Sequence, residues 1–117
     1  MCYWSYMNLV EKLEKLKTKV IIVEGNKDKI ALEEFGIKKI IVLNKPIFKL
    51  CEELVKYKEI VILTDLDKEG RRLYSKIKDN LTRNGIKVDD SFREFLFKNT
   101  ELTQIEGLTS YLHNHLN

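Results

Sequence analysis

Three carboxylates in this 117-residue chain stand where hydrophobic runs stop. Glu24 directly follows Val20-Ile21-Ile22-Val23 and precedes Gly25. Asp65 and Asp67 follow Ile60-Val61-Ile62-Leu63 just past Thr64, and the same segment reaches Gly70. Short β-branched runs of this kind suit strands buried on both faces. If the two strands are parallel neighbours, the three acids converge at one sheet edge. Gathered carboxylates repel one another, and the cost grows as water is excluded. A hard divalent cation relieves that repulsion. Mg²⁺ takes oxygen ligands and uses one or two carboxylates beside waters and substrate phosphates. Gly25 and Gly70 then read as backbone-turn positions, where a close approach or a positive φ is needed. The competing reading is that the acids cap the helices that follow. It accounts for any one of them, but less well for three acids at the ends of two buried runs, each followed by a glycine.

Other sites that use Asp-x-Asp spacing fit poorly. An EF-hand loop starting at Asp65 would want Glu at its twelfth position, where Lys76 stands, and a helix rather than a strand before it. A haloacid-dehalogenase-type phosphatase would carry its motif on the first strand, followed by Gly-Thr or Gly-Val; here Lys68-Glu69 follows a third strand. No G-x-x-x-x-G-K-[ST] phosphate loop occurs.

The elements that position these residues alternate between two hydrophobic periods. Leu9, Leu13 and Leu16 predict an N-terminal helix. Residues 20–23, 40–43 and 60–63 predict three buried strands. Between them, residues 27–35 read as a helix stopped by Gly36. Pro46 opens a second helix, through Ile47, Leu50, Cys51 and Leu54. A longer helix follows the third strand to about Asn84, with Gly85 ending it. Phe92 to Phe97 alternates in part and reads as a fourth strand, and residues 103–116 as a closing helix. The order βαβαβαβ predicts an α/β fold, three-layered and Rossmann-like, with a parallel sheet of about four strands flanked by helices. Such sheets bind ligands beyond the carboxyl ends of their strands, where the acids lie.

Composition narrows the class. A chain of 13.9 kDa, 44% hydrophobic and 33% charged, has the size and core of one domain. The net charge is +3, but residues 68–87 hold seven Lys/Arg and two acids, a local +5, leaving −2 elsewhere. That segment could attract polyanions; a solvated helix face is the plainer reading. Cys2 and Cys51 form neither a disulfide framework nor a zinc motif. No apolar run approaches the ~20 residues of a membrane span, and residues 1–19 carry too many charges for a signal peptide. A reduced, cytoplasmic protein is expected. Abundant Lys, Glu and Ile with a single Gln, Gln104, resembles hyperthermophile usage.

Val23-Glu24-Gly25 with Asp28, followed in order by Thr64-Asp65-x-Asp67-x-x-Gly70, resembles the Toprim domain. That domain is shared by type IA and type II topoisomerases, bacterial primases, OLD-family nucleases, recombination-repair proteins and the 5S ribosomal RNA maturase. The aspartate segment is similar to the topoisomerase version and Glu24-Gly25-x-x-Asp28 to the primase version. The resemblance covers roughly residues 19–98, so residues 1–117 are expected to form a single Toprim domain with a helix added at each end. It implies that Glu24 is the general acid or base, or a metal ligand, and that Asp65 and Asp67 coordinate Mg²⁺, with Mn²⁺ as a substitute. Asp28 matches a frequent acidic position of less defined role. Arg71 departs from the topoisomerase pattern, where an acid commonly stands. Lys68, Arg71 and Arg72 are then phosphate contacts at a helix start, against the alternative of exposed arginines with no ligand.

The resemblance implies a small metal-dependent nuclease acting on RNA or DNA. A non-catalytic nucleic-acid-binding or adaptor module, or a small-molecule phosphatase, are the alternatives. A chain this long has no room for the added domains of topoisomerases and primases, and size places it beside the stand-alone Toprim proteins. A protein or ribonucleoprotein partner, and a monomeric or homodimeric state, are compatible with this; a membrane is not. Lesser candidates are Glu106, if the last helix returns over the acidic edge, Lys45 as a phosphate contact, His113 and His115 as metal ligands, and the Tyr3-Trp4-Tyr6 cluster as a stacking platform.

Overall fold

The computed structural model describes residues 3–116, with side chains for 7–112 and 114. The chain runs α1 (Tyr3–Leu16), β1 (Ile21–Val23), α2 (Asn26–Glu33), β2 (Ile40–Val42), α3 (Ile47–Glu53), β3 (Glu59–Leu63), α4 (Lys68–Arg83), β4 (Lys87–Val88), α5 (Ser91–Asn99), a 3₁₀ turn (Ile105–Gly107) and α6 (Leu108–Leu116). The four strands form one parallel sheet in the order β2-β1-β3-β4.

Alternation along the central strands builds two cores, because successive side chains point to opposite faces. Ile21 and Val23 of β1, with Val61 and Leu63 of β3, pack against Leu9, Leu13 and Leu16 of α1, Leu32 of α2, Phe92 and Leu96 of α5 and Leu112 of α6. Val20, Ile22, Ile60 and Ile62 face the other way, onto Leu50 and Cys51 of α3 and Ile77 and Leu81 of α4. Helices therefore cover both faces of the sheet. Glycines stop α2 and α4 where expected: Gly36 and Gly85 take φ of +83° and +78°, a conformation that costs other residues dearly. Cys51 is a free, buried thiol. Among the described residues no helix is long and apolar enough to cross a membrane.

Three expectations are corrected. Residues 92–97 are not a strand but lie in α5. The buried set Phe92, Phe95 and Leu96 has helical i, i+3, i+4 spacing, while Phe97 is 45% exposed. The fourth strand is the two-residue Lys87–Val88, too short and too charged to show a pattern. β2 is half-buried rather than fully buried, since it lies at the sheet edge. Residues 103–116 do not form one helix. The Leu66 amide donates to the Thr103 carbonyl (2.8 Å) and the Ile105 amide to Asp65 Oδ1 (2.9 Å), so the backbone is tied to the loop after β3 before α6 begins. Cys2, and the side chains of Tyr3, Trp4, Tyr6, His113 and His115, lie outside the described residues.

Candidate active site

Register brings the acids together. Val23 pairs with Leu63, so β1 and β3 end level with each other. Glu24 then sits beside Thr64 and Asp65, and the Asp65 amide donates to Glu24 Oε2 at 2.8 Å. Asp28, one turn into α2, accepts from the Gly25 amide at 3.0 Å and closes the turn between β1 and α2. An open hollow of about 310 Å³ lies over these groups, lined by Glu24, Gly25, Asn26, Lys27, Asp28, Asp65, Gln104 and Glu106.

The loop after β3 is held by its own chemistry. Asp67 caps α4, its Oδ1 accepting from the Gly70 amide at 2.8 Å. The Thr64 hydroxyl, fully buried, donates to the Gly70 carbonyl at 2.7 Å. At Gly70 a Cβ would fall 1.9 Å from the Asp65 carbonyl oxygen. No side chain fits there, and this close approach is why a glycine follows the Asp-x-Asp segment.

Electrostatics mark Glu24. Desolvation first, then the nearby Asp65 and Asp28 carboxylates, push its pKa up to about 7, against the Asp65 amide, which favours the ionised form. Asp28 is also raised, chiefly by burial, with Asp65 and Glu106 adding and the amides of Gly25 and Glu106 opposing. Acids left short of countercharge at an open edge have the chemistry of a cation site. The Glu24 and Asp65 carboxyls also engage each other, each has one oxygen not taken by a backbone amide, and an all-oxygen donor set suits Mg²⁺, which needs few protein ligands. The fit is partial. Among the described residues no group of three or more His, Cys, Asp or Glu stands ready to hold a metal, and Asp67 faces its helix cap rather than lining the hollow.

The cationic candidates divide. Lys68, Arg71 and Arg72 are exposed in the first turns of α4. Arg72 is committed to Glu69, with Nε at 2.9 Å from Oε2, whereas Arg71 enters no ion pair among the described residues. Lys45 lies away from the hollow and binds both Glu53 oxygens at 2.9 Å. Glu106 does return over the acidic edge, because the 3₁₀ turn is anchored on Asp65.

Two residues escaped the sequence reading. Lys27 is the cation on the rim of the hollow; its signal was its place two residues after Gly25. Arg93 is 3% exposed and donates to the Thr64 carbonyl (2.6 Å) and the Asp65 carbonyl (3.0 Å) from behind the site. An arginine within the apolar set of α5 was its signal, hidden while the segment read as a strand.

Comparison with known proteins agrees with this geometry. The Toprim domain model matches residues 19–95, which include Glu24, Asp28, Asp65 and Asp67. A UPF0292 protein of Methanocaldococcus jannaschii is 37% identical over 121 residues, covering 95% of this chain and 94% of its own length. A UPF0292 protein of Pyrococcus abyssi is 36% identical over 96 residues, covering 80% of this chain and 72% of that one. A solved structure from Aquifex aeolicus superposes with a TM-score of 0.77 at 37% identity, covering 86% of this chain and 94% of that chain. Toprim domains generally serve metal-dependent, nucleic-acid-related functions. With the acids in place at the ends of β1 and β3 of a four-stranded parallel sheet, the chain belongs to the Toprim domain family, among its small UPF0292 members.

Proposed function

We propose that the protein is a divalent-metal-dependent phosphodiesterase acting on RNA or DNA. The observation that carries this reading is the state of Glu24: a carboxyl held near pH 7, tethered by the Asp65 amide and facing an open hollow that Asp65 and Asp28 share. A group that changes protonation near the working pH is suited to general acid–base work. Ionised, Glu24 takes a proton from water attacking phosphorus; protonated, it gives one to the oxygen that leaves as the P–O bond breaks. Asp65 would hold Mg²⁺ or Mn²⁺ through the oxygen not bound to the Ile105 amide, with Asp28 beside it in the hollow; Asp67 would join only by leaving its cap on α4. Bound there, the ion supplies charge neutralisation at the phosphate and a more acidic water. Lys27 at the rim, and Lys68, Arg71 and Arg72 at the start of α4, offer cations to neighbouring phosphates. The test is hydrolysis of RNA and DNA with Mg²⁺ or Mn²⁺. Glu24→Gln and Asp65→Asn should each lower the rate by at least ~100-fold, the scale of one acid–base group. Full activity in both variants would overturn the assignment.

One observation favours a second reading, a nucleic-acid-binding module without turnover. No ready-made three-ligand cluster occurs among the described residues, and Asp67 already serves as a cap. That reading expects binding weakened by Arg71→Ala and no hydrolysis under any metal.

A further inference from the structure

We propose that Arg93 is a positioning residue of the candidate active site, a buried guanidinium that fixes the exit of β3 and so sets where Asp65 presents its carboxylate. This rests on the reading of the hollow as a metal site.

The need for such a group follows from the sheet. β4 pairs only with Glu59 and Ile60, at the start of β3. The Ile60 carbonyl accepts from the Asp89 amide on that side, and Thr64, an even number of residues on, faces the same way. Beyond β4, no strand among the described residues continues the ladder. Buried carbonyls left without donors are costly, and Arg93 takes over: Nη1 donates to the Thr64 carbonyl at 2.6 Å and Nη2 to the Asp65 carbonyl at 3.0 Å. A planar fork spans two successive carbonyls in a way an ammonium does not.

The fork is itself fixed. Its carbon lies 4.6 Å from the centre of the Tyr74 ring and 5.4 Å from that of Phe97. The Tyr74 hydroxyl donates to Asp90, which also receives Lys78 at 2.8 Å. No carboxylate lies within ion-pair distance of Arg93 among the described residues, although Asp90, and then Glu24 and Asp65, act on it from further off. A buried charge without a direct partner is poor material for stability alone. Here it leaves Asp65 held at its carbonyl by Arg93, at its amide by Glu24 and at Oδ1 by the Ile105 amide. Asp65 Oδ2 takes none of these three bonds, and Asp65 lines the hollow beside Glu24.

The sign of the effect on cation binding separates positioning from simple charge. Removing a positive charge near a cation site should tighten binding by Coulomb's law; losing the anchor on Asp65 should weaken it. Direct Mn²⁺ binding, by calorimetry or by the signal of free Mn²⁺ in electron paramagnetic resonance, is therefore measured on wild type, Arg93→Met, Arg93→Lys and Phe97→Ala, with circular dichroism to check folding. Arg93→Met is expected to bind about 10-fold more weakly, the scale for partners that orient metal ligands. Arg93→Lys should fall between it and wild type. Phe97→Ala, at an exposed ring that only steadies the guanidinium, should weaken binding by about 2- to 5-fold. A folded Arg93→Met that binds Mn²⁺ as tightly as wild type, or more tightly, overturns the role; if that variant does not fold, Phe97→Ala decides by the same criterion. Wild type that takes up no Mn²⁺ would sink the metal-site reading and this inference together, whereas equal binding in wild type and Arg93→Met sinks only the role of Arg93.

Discussion

In the proposed reaction, Glu24 concentrates the chemistry in one proton. Its carboxyl titrates near 7 in the folded chain because burial and the Asp65 and Asp28 carboxylates oppose its charge, while an unfolded chain would titrate it near 4.5. Below both values it is protonated either way and costs nothing. Between them the folded protein holds a proton that the unfolded chain has released, so stability falls as pH rises through the window from about 4.5 to 7 and then levels off. Asp28, also raised by burial, works in the same direction. After allowance for partial exposure the loss should be on the order of 1–2 kcal/mol. Denaturant unfolding of metal-free protein at pH 5 and pH 8 measures it. Glu24→Gln, whose amide oxygen can still accept from the Asp65 amide, should be more stable than wild type at pH 8 and should lose most of the slope. A slope left intact in the variant would mean that other groups carry it.

Among the elements, the ends of β1 and β3 were the most legible and α5 the least. Val20–Val23 and Ile60–Leu63 are continuous apolar runs because both strands are central and buried on both faces, so their ends, and Glu24 and Asp65 with them, could be placed from composition alone. α5 was misread because Phe92–Phe97 mixes periods: Phe92, Phe95 and Leu96 are buried, but Arg93 is buried beside them and Phe97 is not. β4 left no signal because two residues at a sheet edge need no pattern. The return of Glu106 depends on backbone amides and carbonyls, the Ile105 amide bound to Asp65 Oδ1 and the Leu66 amide bound to the Thr103 carbonyl, whose pairing the residue types at 103–105 do not announce. Asp67 shows the same ambiguity at the level of a helix end, since capping and metal ligation ask for the same residue. The two roles separate by substitution. Asp67→Ala removes the bond to the Gly70 amide and should cost about 1 kcal/mol of stability without metal. Asp67→Asn keeps a cap and should stay within about 0.5 kcal/mol of wild type, yet lose part of the rise in melting temperature expected on adding Mg²⁺ if the hollow is a metal site. An Asn variant with the full Mg²⁺ response would leave Asp67 as a cap alone.

At the scale of the whole molecule, charge is divided by the fold. The acids line the hollow at the ends of β1 and β3, and α4, which carries much of the +5 of residues 68–87, starts beside them. Its 16 residues span about 24 Å at 1.5 Å per residue, so its two ends face different solvent. Arg71, in the first turn of α4 and without an ion-pair partner among the described residues, is available to a phosphate; Arg72 must first leave Glu69; Arg83 stands at the far end of the helix. A strand engaged at the acidic edge should therefore feel these three arginines unequally. Binding of a single-stranded oligonucleotide, followed by fluorescence anisotropy across a salt series, reads this directly. Arg71→Ala should weaken binding several-fold and reduce the slope of log K against log[salt] by about 0.7, the value for one phosphate contact on a single strand. Arg72→Ala should do less, because breaking its pair with Glu69 offsets what it gains from phosphate. Arg83→Ala should leave both affinity and slope unchanged. If Arg83→Ala matched Arg71→Ala, the strand would run along the whole helix and the acidic edge would not fix where it binds.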